Sequence, residues 1–159
     1  MTYYTFLDSP AGTLLLMSDG NHITGIHWKV FKRTPKVQKD WIENKKIFSS
    51  AIKQLDEYFK GKRTSFNLDM EIKGTEFQKK VWKQLQKIPY GKSITYGSIA
   101  KAINHPKAVR AVGTAVGSNP ICIIIPCHRV LAAQNKLGGY AGGLKSKQTL
   151  LARENISWK

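Results

Sequence analysis

Cys127 and His128 stand side by side in Pro126-Cys127-His128-Arg129-Val130, and the only carboxylate after Glu76 is Glu154. A thiol is a strong nucleophile only as its thiolate, a form favoured by a neighbouring base or a positive field. His128 can supply the base, directly or through a water, and Glu154 can hold the imidazole in its active tautomer. Each residue also has a plainer reading. A cysteine is commonly a small core hydrophobe, and for Cys122 that reading is preferred. Spacing alone leaves Glu154 open between an orienting carboxylate and a solvated helix residue. For Cys127, the adjacent histidine and the end of an apolar run favour the nucleophile.

The run Ile121-Cys122-Ile123-Ile124-Ile125 reads as a buried strand by length and β-branching, with Pro126 stiffening the turn at its end. On that reading Cys122 and Cys127 lie roughly 16 Å apart at ~3.3 Å per residue, on opposite faces and beyond disulfide reach. The four histidines are scattered, so no metal-ligand spacing emerges and no metal is expected.

A formal net charge of +16 on 159 residues points to a polyanionic partner. Between Glu76 and Glu154 there is no Asp or Glu, while thirteen cations fall there: Lys79, Lys80, Lys83, Lys87, Lys92, Lys101, Lys107, Arg110, Arg129, Lys136, Lys145, Lys147 and Arg153. Phosphate repels carboxylate, so this stretch is read as the DNA-facing half. No run approaches the ~20 apolar residues of a membrane span. Met1-Thr2-Tyr3-Tyr4 lacks a secretory n-region and h-region, so the chain is expected to stay in the compartment where it is made.

The elements that must position these residues are mostly short. Tyr3 to Leu7, Thr13 to Met17 and Ile23 to Trp28 read as strands, and Ala51, Ile52, Leu55 and Phe59 as a helix ended by Gly61. Phe66, Leu68 and Met70 alternate as another strand would. Nothing in this first third reads as catalytic; it is a small α+β scaffold, and Lys29 to Lys39 reads as either a DNA contact or a loop. Thr75 and Gln78 form a capping box ahead of the stripe Phe77, Val81, Trp82 and Leu85. Thr95 caps a short helix through Ile99 and Ile103, and Pro106 begins a second helix running to about Gly117. The pair is a helix-turn-helix candidate. Val109, Val112 and Val116 should face inward, leaving Lys107, Arg110, Ala111, Thr114 and Ser118 on a basic outer face of small residues. That face suits close approach to a groove, although a solvated helix with incidental charges has the same pattern.

Ile124-Ile125-Pro126-Cys127-His128-Arg129-Val130 resembles the signature of the methylated-DNA–protein-cysteine methyltransferases, the O6-alkylguanine-DNA alkyltransferases. The resemblance extends over Ile88-Pro89-Tyr90-Gly91, Thr95-Tyr96, Pro106 to Gly113, Asn119-Pro120 and Gly138 to Gly143, and covers residues 74–157 well. It implies an α+β protein: a small RNase H-like domain over residues 1–73, and a mainly helical DNA-binding domain over 74–159 that carries the helix-turn-helix and the Pro-Cys-His-Arg strand end.

The resemblance also implies roles. Cys127 accepts an alkyl group irreversibly from O6-alkylguanine or O4-alkylthymine, His128 deprotonates it through a water, and Glu154 orients His128. Tyr96 swings the phosphate of the flipped nucleotide and lines the base pocket, Arg110 fills the vacated stack, and Asn119 joins the recognition helix to the active segment. The carbonyls of Cys127 and Val130 would read the guanine amine, with Tyr140 and the Ala141 N–H on the O6 side. Lys107, Ala108, Ala111 and Thr114 would lie along the DNA. The implied protein is a monomer acting on duplex DNA without a cofactor, in the cytoplasm on chromosomal DNA or in the nucleus of a eukaryote. The zinc-binding version of the family uses N-terminal cysteines, which this chain lacks, and Ala141 replaces the serine of some members.

Three other classes fit parts of the pattern. A non-reacting recognition module would lack the acceptor cysteine, a transcription regulator would need an added domain, and a cysteine hydrolase would turn over repeatedly.

Overall fold

The computed structural model describes all of residues 1–159. Strands β1 (Tyr3–Ser9) and β2 (Gly12–Ser18) pair antiparallel around Pro10 and Ala11, with Gly12 at φ +135, a conformation that only glycine adopts cheaply. β3 (Ile23–Trp28) pairs antiparallel with β2, and the short β4 (Ile42–Glu43) lies parallel to β1, giving the order β3-β2-β1-β4. Helix α1 (Ser49–Phe59) buries Ala51, Leu55 and Tyr58 in the same core as Leu14, Leu16 and Ile26.

The strand expected over Phe66, Leu68 and Met70 does not form. Only a single bridge, Met70 to Ile23, joins this segment to the sheet. The free edge of β3 is divided between two visitors: residues 69–71 bond to Ile23, and residues 120–122 bond to Ile26. Neither has room for a full ladder, although the three alternating side chains still pack against the core.

Helix α2 (Glu76–Gln86) opens with the expected capping box, Gln78 N donating to Thr75 Oγ1 at 3.1 Å and Thr75 N to Gln78 Oε1 at 2.9 Å. Strand β5 (Ile94–Thr95) leads into α3 (Tyr96–Ala102), capped by the Thr95 side chain. Helix α4 (Val109–Gly117) starts later than the Pro106 signal suggests. Asn104 at φ +63 and a bond from Ala108 N to His105 O at 2.9 Å spend Pro106 and Lys107 in the turn between the helices. Counted from this later start, Val112, Ala115 and Val116 form the buried face, whereas Val109 is 42% exposed rather than inward. Trp82 Nε1 donates to Ala115 O at 2.8 Å, locking α2 to α4.

Strand β6 (Val130–Leu131) pairs parallel with β5, Ile94 opposite Val130 and Thr95 opposite Leu131. This brings Tyr96 beside the Cys127 segment. Helix α5 (Leu144–Arg153) then delivers Glu154 immediately after its last turn. One apolar core runs through both halves, from Leu14 and Trp28 through Leu55 to Val81, Ile99, Val112 and Ile121. No helix is long and apolar enough to cross a membrane.

Candidate active site

Ile121 to Ile125 is buried but is not a strand. Its start pairs with β3, Ile26 N donating to Pro120 O and Cys122 N to Ile26 O, both at 2.9 Å. The chain then folds back at Ile123 (φ +73), with Ile124 N donating to Cys122 O at 2.9 Å and Ile125 N to Ile121 O at 3.0 Å. A β-branched residue at positive φ is strained and persists only where its surroundings over-determine it. Asn119 provides that constraint. Its Oδ1 accepts from Ile121 N at 3.0 Å and its Nδ2 donates to Ile125 O at 2.7 Å, clamping both ends of the turn.

The consequence corrects the extended reading. Cys122 and Cys127 are not on opposite faces about 16 Å apart; the folded turn brings both to one cavity, and both are free thiols. Cys122 is therefore part of the site as well as of the core.

Cys127, His128 and Arg129 form one 3-10 turn. His128 is fully buried, and its Nε2 lies 2.5 Å from Glu154 Oε2. A bond to a carboxylate assigns the proton to Nε2, so Nδ1, which has no protein partner, carries the lone pair of a base. Glu154 also accepts from Tyr58 Oη at 2.6 Å, Arg129 Nε at 2.7 Å and Gly91 N at 3.2 Å. Burial alone would raise its pKa, but the bonds from His128, Arg129 and Tyr58 outweigh that and hold it at about 2. Burial pushes His128 below its ordinary value against the pull of Glu154, with Arg129 and Lys147 adding to the fall. Near neutral pH the site therefore pairs a neutral imidazole with an ionised carboxylate.

The Cys127 thiol is lowered from 9.0 to about 7. The Cys122 thiol is the largest cause; burial opposes it, and the Asn119 amide, the Tyr140 hydroxyl and the Lys147 charge add to it. Tyr140 Oη lies 3.8 Å from Cys127 Sγ and accepts from Trp28 Nε1 at 3.2 Å, which leaves its own proton free to point at the sulfur. Lys147 is fully buried and donates to Val130 O at 2.7 Å and Gly139 O at 3.2 Å. Burial lowers it to about 8, against the opposing pull of Cys127.

A cavity of about 670 Å³ opens over the sulfur, lined by Tyr96, Thr114, Asn119, Cys122, Tyr140 and Ala141 among others, with Val30 to Arg33 along one side. The structure thus brings Cys127, Tyr96, Asn119, Tyr140, Ala141 and Thr114 to one space. Val130 sits behind it, fully buried, its carbonyl engaged by Lys147, while the Cys127 carbonyl accepts from Val130 N. Lys107, Arg110 and Ala111 are exposed and Ala108 half-buried, on and just before α4 outside the cavity. Arg110 makes no ion pair.

Two of the thirteen cations assigned to the DNA-facing half are internal instead. Arg129 is buried, bonding Glu154 and donating to Ile88 O at 2.7 Å, and Lys147 holds carbonyls beside the sulfur. Nor is the first third chemically silent. Tyr58 reaches Glu154 from α1, Trp28 orients Tyr140 from β3, and part of the Lys29 to Lys39 stretch walls the cavity. Tyr58 left a trace in the sequence: it lies three residues after Leu55 on the apolar stripe, where a hydroxyl needs a partner. Trp28 and Lys147 left none, because long-range packing alone brings them to the site, and Cys122 is carried there by a turn that its apolar neighbours do not announce.

Two family models match the chain: 6-O-methylguanine DNA methyltransferase, ribonuclease-like domain, over residues 2–72, and 6-O-methylguanine DNA methyltransferase, DNA binding domain, over residues 76–156. The methylated-DNA–protein-cysteine methyltransferase of Methanosarcina acetivorans is 47% identical over 152 residues, covering 96% of this chain and 97% of the relative. Among solved structures, Mycobacterium tuberculosis OGT in complex with DNA superposes with a TM-score of 0.89 at 43% identity, over 96% of this chain and 92% of that one. An O6-methylguanine DNA methyltransferase from Methanococcus jannaschii gives a TM-score of 0.65 at 29% identity, over 98% and 97%.

Proposed function

This chain belongs to the 6-O-methylguanine DNA methyltransferase family, and from that premise we propose that it repairs alkylated DNA by direct reversal, moving the alkyl group from O6-alkylguanine, and from O4-alkylthymine, onto Cys127. The observation that carries this reading is the oriented base: His128 Nε2 on Glu154, with Nδ1 lacking a protein partner, next to a thiol lowered to about 7.

An O6-alkyl group lies inside the duplex, so the nucleotide must leave the stack, which costs a few kcal/mol. The exposed, unpaired Arg110 on α4 enters the vacancy, while Lys107, Ala108, Ala111 and Thr114 lie along the DNA. Tyr96 directs the phosphate of the flipped nucleotide, and the base enters the cavity over Cys127.

The Cys127 proton passes through a water to His128 Nδ1, and Glu154 stabilises the resulting imidazolium. The thiolate attacks the alkyl carbon in line, the carbon–O6 bond breaks, and guanine leaves with a proton from the site. Lowering the Cys127 thiol from its ordinary value leaves more of it as thiolate near neutral pH. Nucleophilicity falls as pKa falls, with a sensitivity of about 0.4–0.5, so it offsets only part of the gain in thiolate. Water does not displace a thioether, so each chain acts once, as a monomer. A recognition module that only flags damage would have no use for this activated acceptor.

The test is intact mass after mixing with duplex DNA carrying one O6-methylguanine. A stoichiometric gain of one methylene, mapped to Cys127 and absent from Cys127→Ala, is the expected result. Binding without any gain in mass would make the protein a damage-recognition module.

A further inference from the structure

Alkyl transfer needs one thiol, yet two line the same cavity. From this juxtaposition of Cys122 and Cys127 we propose that Cys122 is a resolving thiol: under peroxide it forms a reversible disulfide with Cys127 that switches off the acceptor and spares it irreversible oxidation. The proposal rests on Cys127 being the reactive thiol.

The backbone enforces the meeting. The turn at Ile123 and the Asn119 clamp return the chain on itself, so that Cys122 bridges Ile125 and lines the same cavity as Cys127. Cys122 Sγ donates only to Asn119 O, at 3.9 Å, a weak bond that is easily given up. Both thiols line the cavity, which is large enough to admit peroxide alongside them. A low-pKa thiol beside a second thiol is the arrangement in which a sulfenic acid condenses to a disulfide rather than oxidising further.

The chemistry balances with hydrogen peroxide as the oxidant. The Cys127 thiolate attacks one peroxide oxygen, the O–O bond breaks, and hydroxide leaves and takes up a proton, giving a sulfenic acid and water. The Cys122 sulfur then attacks the Cys127 sulfur. The S–S bond forms, the S–O bond breaks, and the departing hydroxide takes the Cys122 proton as a second water. Two thiols lose two electrons and two protons to one peroxide. A dithiol reverses the step by exchange, with its thiolate attacking one of the sulfurs.

The full chain is treated with a small excess of hydrogen peroxide, acid-quenched, weighed, then reduced with dithiothreitol and assayed for methyl transfer. Wild type is compared with Cys122→Ser and Cys122→Ala, each normalised to its own untreated activity. The wild-type tryptic peptide Ala111–Arg129, which holds both cysteines, should be two hydrogens lighter with no added oxygen. Reduction should recover at least about fivefold more activity in wild type than in either variant, where Cys127 gains two or three oxygens. Oxygen added to wild-type Cys127 as fast as in the variants overturns the proposal, and so does a disulfide joining two chains. Methyl transfer by untreated wild type tests separately whether Cys127 is the acceptor.

Discussion

Replacing Tyr58 by phenylalanine removes one hydroxyl and leaves the ring's packing on Phe59, Phe66 and Tyr90 in place. The lost group is a buried donor to Glu154 Oε2 at 2.6 Å, reaching from the first half of the chain into the site of the second. A hydrogen bond to a charged group is worth about 1.5–3 kcal/mol, and Glu154 keeps three other donors, so a loss of about 2 kcal/mol at pH 7 is expected. The pH dependence makes the test specific. Glu154 is held at about 2 against an ordinary 4.5, a depression corresponding to stability on the order of 3 kcal/mol.

Because the folded pKa is the lower one, that stability is fully present above 4.5 and is lost as pH falls through about 2. In Tyr58→Phe the folded pKa rises toward its ordinary value. The variant's deficit is therefore full at neutral pH and shrinks once Glu154 is protonated. Urea denaturation across this range measures it, and single-turnover methyl transfer at neutral pH should fall by less than about tenfold, since His128 keeps its carboxylate. A midpoint equal to that of wild type at pH 7, or a deficit that stays constant into acid, would refute the idea that Tyr58 clamps the ionised carboxylate.

Lys147→Met removes a cation beside the sulfur, so the pH midpoint for alkylation of Cys127 by iodoacetamide should move above about 7; an unmoved midpoint would show that the Lys147 charge does not act on the thiol. Arg110→Ala should slow transfer from duplex DNA, where the vacated stack must be filled, while iodoacetamide still alkylates Cys127 at the wild-type rate. Equal slowing by both reagents would place the effect in the pocket instead. In Gly142→Ala the new Cβ would stand 2.7 Å from Cδ2 of Trp28, a core ring bonded to Tyr140. Overpacking of this kind costs about 1–3 kcal/mol, so thermal stability and transfer rate should fall together, whereas unchanged melting would mean the loop shifts freely.

Chemistry that depends on neighbours in the chain is legible in the sequence. The Cys127-His128 pair, the capping box at Thr75 and Gln78, the Thr95 cap and the acid-free stretch are local facts, and the Glu154 pairing followed from the family resemblance. Helix starts were less secure. Pro106 fits the first turn of a helix or the loop before it, and the left-handed Asn104 decided for the loop.

The conformation of Ile121 to Ile125 lay outside the sequence altogether. Five apolar residues in a row demand burial, but a strand and a folded turn bury them equally well, and hydrophobicity does not distinguish the two. Two side-chain bonds from Asn119 and the edge of β3, supplied from the opposite half of the chain, selected the turn. Long-range packing likewise brought Tyr58 to Glu154 and Trp28 to Tyr140. A sequence records which groups a buried site will need to satisfy; only the packed chain decides which distant atoms satisfy them.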